Sequence, residues 1–280
     1  MGAGFFSNYF WVLGHIVFAK KLGYIPVVDM ENYKTLYSEE DAVDGVSNAW
    51  NYYFQNVDAV SLKDAYNSNR YVLCREKYLT KYAEKYSDTN YRYPTKRMID
   101  YYKPYIQEHM KIRTDLLQKF EREWKETVKE NGRSVGIHIR GTDMKNDLGH
   151  PMPADVESYV KDVKRLIDSD DSITHVYLAT DEIDILEQFQ KLLADSAVKI
   201  HFQDAFRVAD IKGNKKVGIH ETQIENKREL HHYLMGLEVL RDAYFLSKCD
   251  YLICGHSNIT NVVIMWNDGK YKEIVLCEKQ

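Results

Sequence analysis

The second half of the chain alternates short apolar runs with amphipathic ones, and that alternation constrains the fold more than any other feature. Ser134–Ile139, His175–Thr180, Val198–Phe202, Tyr251–Cys254 and Glu273–Leu276 read as strands. Between them, about Ala154–Asp168, Glu182–Ala194 and Asn226–Lys248 carry apolar residues at helical spacing. Strands joined by helical crossovers form a mainly parallel sheet covered on both faces. The expectation is a doubly wound α/β domain.

The first half is less regular. It opens with Gly2-Ala3-Gly4, then a helix near Ser7–Leu22 and a strand at Ile25–Asp29. A Tyr- and Asn-rich stretch runs from Glu31 to about Tyr93, and Pro94 and Pro104 punctuate it. A long amphipathic pattern near Tyr105–Lys129 leads to Asn131-Gly132, a helix stop. The domain boundary is placed there, giving 1–132 as an acceptor-side α/β domain and 133–280 as a nucleotide-binding one. A phosphate loop should follow a strand, and little precedes Gly4, so either the start lies elsewhere or the loop has no nucleotide role. The apolar stretch Phe5–Ala19 contains Ser7, Asn8 and His15 and is too short to span a bilayer. It reads as a buried helix, with Lys20 and Lys21 at the end where cations suit the dipole.

A length of 280 residues suits two cores better than one. The formal net charge of −4 argues against a general nucleic-acid binder, though not against a local basic pocket. Cys74, Cys249, Cys254 and Cys277 form no CxxC pair, and Tyr71–Cys74 and Ile274–Cys277 read as strand-like runs with small buried thiols. A reducing, cytoplasmic location fits, with room for peripheral attachment at the inner membrane face. His231 and His232 are adjacent and point about 100° apart on a helix, so they share an ion poorly. No metal is expected.

Four clusters could carry chemistry. The strand Val135–Ile139 runs straight into Arg140 and Asp143, with His138 just before. Ligands gather at the carboxyl ends of such strands, and a guanidinium fork suits a phosphate; the plain alternative is a polar turn with Arg140 paired to Asp143. Asp181 ends the next strand, where it could instead cap the following helix. On the helix Leu230–Leu246 the charges Glu238, Arg241 and Asp242 crowd into one sector. That sector is either a solvated stripe or a carboxylate at a cleft, accepting from the N1–H and amino group of guanine. Cys254–Thr260 turns from strand to helix through Gly255, with Ser257 and Asn258 as a cap or as part of an anion site.

Together these stretches resemble the fucosyltransferase superfamily that includes the α1,6-fucosyltransferases, the rhizobial nodulation fucosyltransferases and the protein O-fucosyltransferases. Several bacterial capsule and O-antigen glycosyltransferases are similar. His138-Ile139-Arg140-Gly141-Thr142-Asp143 resembles the family's His-x-Arg-Arg-Thr-Asp motif, and Val176–Asp181 its Val-Tyr-Leu-Ala-Thr-Asp strand. Leu240–Cys254 follows its helix and strand, and Ser257-Asn258 takes the place of its Ser-Ser turn. The likeness covers about Val135 to Val263; Gly2–Asn8, with Gly4 and Asn8 as binding candidates, matches the family's glycine-rich loop loosely.

The resemblance implies a GT-B-like fold of two Rossmann-like domains. It implies GDP-fucose bound by the second domain without a divalent metal. By position His138 and Asp242 would contact guanine, Arg140 would hold the β-phosphate and stabilise the departing GDP, and Ser257, Asn258 and Asp181 would assist. The second arginine of the motif is Gly141 here, and the proposed general base has no clean counterpart, Asp143 and Asp147 being the nearest carboxylates. The expected function is inverting transfer of fucose to a hydroxyl of a glycan or lipid-linked glycan in surface polysaccharide assembly. The rivals are a different nucleotide-sugar donor on the same fold, and a binding protein without turnover.

Overall fold

The computed structural model describes residues 4–74, 93–128, 132–141, 154–207 and 228–277. Internal contacts divide the chain into two compact units, Met1–Lys119 with Glu229–Val239, and Phe120–Arg228 with Leu240–Gln280.

In the first unit α1 spans Phe5–Lys21 and buries Phe5, Phe6, Tyr9, Leu13, Ile16 and Val17, with Lys20 and Lys21 in its last turn as expected. Residues 25–29 form no strand, contrary to expectation. Side-chain bonds replace the ladder there: Asn48 Nδ2 donates to Val28 O at 2.7 Å, and Asn48 Oδ1 accepts from Met30 N at 3.1 Å. After α2 (Leu62–Asn67), whose cap Ser61 accepts from Asp64 N, residues 71–74 also form no strand. Val72 is 74% exposed and Cys74 is exposed, so among the described residues no apolar surface covers this stretch, and the expected burial of the Cys74 thiol is not found.

The long amphipathic pattern is two helices, α3 (Lys96–His109) and α4 (Thr114–Thr127), the expected end at Lys129 lying outside the described residues. The chain leaves the helical path between them to meet residues 53–55: Arg113 N donates to Tyr53 O at 2.9 Å, Gln55 N donates to Lys111 O at 2.9 Å, and Phe54 bridges Ile112. Pro104 sits inside α3 instead of ending a segment. Both Pro104 and Asp100 are exposed, so the carbonyl it leaves without an amide faces water. Apart from the bridges Phe54–Ile112 and Val43–Val46, the described residues of this unit form no sheet, so the expected first Rossmann-like domain is not seen there.

The second unit carries a five-stranded, all-parallel sheet of order β3-β2-β1-β4-β5. Its strands are β1 (Arg133–Ile139), β2 (Ile173–Thr180), β3 (Lys199–His201), β4 (Tyr251–Cys254) and β5 (Glu273–Leu276). Its helices are α5 (Val156–Ser169), α6 (Ile183–Leu192) and α8 (Asn258–Trp266), together with the part of α7 (His231–Lys248) from Leu240 onward. Alternation along the strands sends Val135, Ile137, Ile139, Val176, Leu178 and Ile253 to one face, where Tyr159, Val163 and Leu166 of α5 and Leu186 and Phe189 of α6 complete a core. Each such side chain, fully buried, contributes on the order of 1.5–3 kcal/mol. The same alternation sends His138, Tyr177, Leu252 and Cys254 to the other face, where Phe245 of α7 packs on Tyr177 with ring centroids 5.2 Å apart. Among the described residues no helix is long and apolar enough to cross a membrane.

Candidate functional site

The strand order reverses direction between β1 and β4: the chain adds β2 and β3 on one side of β1, then returns to place β4 and β5 on the other. In open α/β sheets that switch point leaves a crevice outside the carboxyl ends, where ligands bind. His138 pairs with Cys254 in the register of β1 and β4, so His138, Arg140 and the turn Gly255–Ser257 meet the crevice edge.

His138 is buried at 5% exposure, and its Nδ1 lies 3.4 Å from Ser257 Oγ. Burial first, then the charge of Arg140, pulls its imidazole down to about 3, so it is neutral at ordinary pH. Ser257 is the cap of α8: its Oγ accepts from Thr260 N at 3.1 Å, while the Thr260 hydroxyl donates to Gly255 O at 2.5 Å. Asn258 is the first residue of α8 and is exposed. This strand, turn and capped helix place free N–H groups of a helix start at the crevice, the arrangement that favours an anion.

Arg140 follows β1 directly and is half-buried. Asp181 does not cap α6, as one reading of the sequence expected; Glu182 takes the cap position, and its side chain does not bond the amides of the helix start. Asp181 Oδ1 instead accepts from Gly141 N at 2.9 Å, tying the carboxyl ends of β1 and β2 together beside Arg140. Asp143 and Asp147 lie outside the described residues.

Asp242 is half-buried on α7 and not part of a solvated stripe. Tyr177 Oη donates to its Oδ1 at 2.6 Å, and the Gln203 side chain also bonds it. Desolvation raises its carboxyl to about 6 against the pull of those two bonds and of the Arg207 and Arg241 charges. Arg241, its neighbour in the sequence, pairs with Glu123 at 3.1 Å. Tyr177 alternates onto the same sheet face as His138, one strand over, so the sheet presents the His138 and Asp242 sites on a common side.

Gly4 and Asn8 belong to the first unit. Gly4 is the exposed cap residue of α1, and Asn8 is buried at 5% within that helix. A cavity beside Asn8, lined by Phe5, Tyr9, Tyr37, Trp50 and Tyr53 among others, has about 20 Å³ of room, space for roughly one water.

Sequence reasoning missed Tyr177, Gln203, Arg207 and Glu182. The signal for Tyr177 was its parity with His138 within an apolar strand; for Gln203 and Arg207 it was their place just past the carboxyl end of β3. Arg207 Nη2 donates to Gln203 O at 2.7 Å, so the guanidinium staples the loop that carries Gln203. Among the described residues no group of three or more His, Cys, Asp or Glu side chains is placed to hold a metal.

No family model matches the sequence, and no curated protein matches it. The fold is similar to crystal structures of the fucosyltransferase NodZ. The NodZ α-1,6-fucosyltransferase co-crystallised with GDP superposes with a TM-score of 0.53 over 90% of this chain and 85% of that one, at 15% identity. The form soaked with GDP-fucose gives 0.52 over 91% and 86%, and the enzyme from Bradyrhizobium 0.52 over 90% and 86%, both at 15% identity. The chain therefore shares a fold with NodZ, and its own second unit carries the five-stranded parallel sheet.

Proposed function

We propose that the chain is an inverting glycosyltransferase that takes fucose, or a related deoxysugar, from a GDP donor and passes it to a hydroxyl of a glycan in surface-polysaccharide assembly. The observation that carries this reading is the meeting of His138 with the capped turn at Ser257, 3.4 Å apart at the switch point of a sheet whose fold matches a GDP-binding fucosyltransferase. In this reading the neutral imidazole of His138 and the carboxylate of Asp242 contact guanine, and Ser257, Asn258 and Asp181 assist around the diphosphate. The acceptor oxygen attacks the anomeric carbon, the bond from that carbon to the β-phosphate oxygen breaks, and GDP leaves with the electron pair. Arg140, in place of a divalent cation, neutralises the charge as it develops. The acceptor proton goes to a nearby carboxylate, with Asp143 and Asp147 as candidates.

Calorimetry with GDP, UDP and CMP, together with transfer from radiolabelled GDP-fucose to a panel of glycan acceptors, tests the reading. Preference for GDP and an Arg140→Ala loss of about 10²-fold or more in transfer are expected. Preference for UDP, or full transfer by Arg140→Ala, would overturn it. Tight GDP-fucose binding with no transfer to any acceptor would favour a binding protein instead.

A further inference from the structure

Tyr177 is a costly residue for its position. It is 2% exposed in the middle of a strand, with Trp124 against it at 6.4 Å and Phe245 at 5.2 Å, and a Phe there would pack as well. Its hydroxyl is spent on one bond, 2.6 Å to Asp242 Oδ1. Gln203, 1% exposed, comes from a different segment and bonds the same carboxylate. An aliphatic anchor between α7 and the sheet would avoid taking a charge out of water, yet here two elements converge on one. Asp242 as a residue is half-buried and not fully enclosed. Its carboxylate has about four acceptor sites; among the described residues two donors, Tyr177 and Gln203, take two of them.

We propose that Tyr177 and Gln203 are positioning residues that lock the Asp242 carboxylate in one orientation, so that its remaining acceptor sites read the paired N–H and amino donors of guanine and reject pyrimidines. This rests on the GDP reading above. A carboxylate on an exposed helix face rotates about two bonds; a fixed one has lost that freedom before the base arrives. The burial that raises Asp242 makes the clamp sensitive to acid, because only the ionised form accepts from both donors. Among the described residues the groups facing it are Tyr177 from β2, Gln203 and Arg207 from the loop after β3, and Arg241 on its own helix, itself paired with Glu123.

Tyr177→Phe and Gln203→Leu are tested by calorimetry with GDP and UDP between about pH 5 and 8.5, with thermal unfolding alongside. Each variant is expected to lose about tenfold in GDP affinity and little for UDP. The pH at which GDP affinity falls away should move upward, since a carboxylate deprived of a donor protonates more readily. A merely structural role would lower the melting temperature and weaken both nucleotides alike without moving that pH. If Tyr177→Phe fails to fold, Gln203→Leu carries the same expectation. A wild-type protein that prefers GDP, with variants that keep its GDP-to-UDP ratio and its pH midpoint, overturns the clamp and leaves the GDP reading standing. A wild-type protein without GDP preference overturns both.

Discussion

Gly141 stands directly against the buried side chain of Glu182: a methyl group at residue 141 would lie 2.2 Å from Glu182 Cδ and 2.3 Å from Oε1. Glu182 is 3% exposed, so its carboxyl cannot swing into water to make room. The resembling motif carries a second arginine at this position. In this chain Glu182 occupies the space that such a side chain would enter.

Gly141→Ala is therefore expected to cost about 1–3 kcal/mol by overpacking, measured by urea unfolding. Glu182→Ala opens the space, and the double variant should be more stable than the sum of the two single losses by at least about 1 kcal/mol. Additive losses would show that the two residues do not compete for the same volume.

Two site groups make opposite contributions to acid stability. His138 titrates near 3 in the fold against 6.5 in an unfolded chain, so between those values the unfolded chain holds the extra proton. Stability falls with pH there by about 1.4 kcal/mol per pH unit, or about 2 kcal/mol from pH 6.5 to 5. Asp242 titrates near 6 in the fold against 3.8 unfolded, so the folded chain holds the extra proton and stability rises as pH drops through that window. Urea unfolding from pH 8 to 4 separates them. His138→Gln should flatten the acid loss. Asp242→Asn should stabilise by about 3 kcal/mol at pH 8, an advantage that largely vanishes near pH 4. An Asp242→Asn difference that is constant with pH would show that the carboxyl is not strained by burial.

The second unit was legible because periodicity and burial agree in it. Strands β4 and β5 fall where the apolar runs placed them, and β1, β2 and β3 differ from expectation only at their ends. In the first unit α1 was legible from its apolar run and terminal lysines; the rest was not, because its order depends on contacts distant in sequence. Nothing local at Met110–Arg113 announces a helix break; the break exists because residues 53–55 supply backbone partners. Likewise Ile25–Asp29 has strand composition but meets the Asn48 side chain, not a strand. In the site, His138 and Ser257 stood out as polar groups at strand ends, whereas Tyr177 and Gln203 did not. Their significance comes from one carboxylate that sequence spacing cannot bring to them.

Gly236 in α7 is a second position where space decides the residue. A methyl there would lie 2.2 Å from Tyr53 Oη and 2.5 Å from Cζ. Tyr53 is 2% exposed, stacked on Tyr233 at 5.7 Å, edge-on to Phe5 at 5.0 Å, and held by its hydroxyl to Tyr233 O at 2.9 Å. Helix propensity favours Ala over Gly by about 1 kcal/mol, but displacing a wedged ring costs about 1–3 kcal/mol. Gly236→Ala should therefore destabilise on balance, and thermal unfolding of Gly236→Ala beside Gly236→Ala with Tyr53→Leu should show recovery in the pair. A stabilised single variant would mean that the ring yields freely.

Ser257 serves the fold and the site at once, and two substitutions separate those roles. Ser257→Ala removes the acceptor that caps Thr260 N, which should cost about 1 kcal/mol of stability. It also removes the hydroxyl beside His138. Ser257→Asp keeps a capping acceptor but puts a negative charge where the diphosphate is proposed to lie. Its stability should stay close to wild type, and like-charge repulsion should weaken GDP binding by more than Ser257→Ala does. Unfolding midpoints and GDP titrations at low and high salt read the two effects separately, since salt relieves repulsion between partly exposed charges. Equal GDP affinity for Ser257→Asp and wild type would place the diphosphate away from this turn.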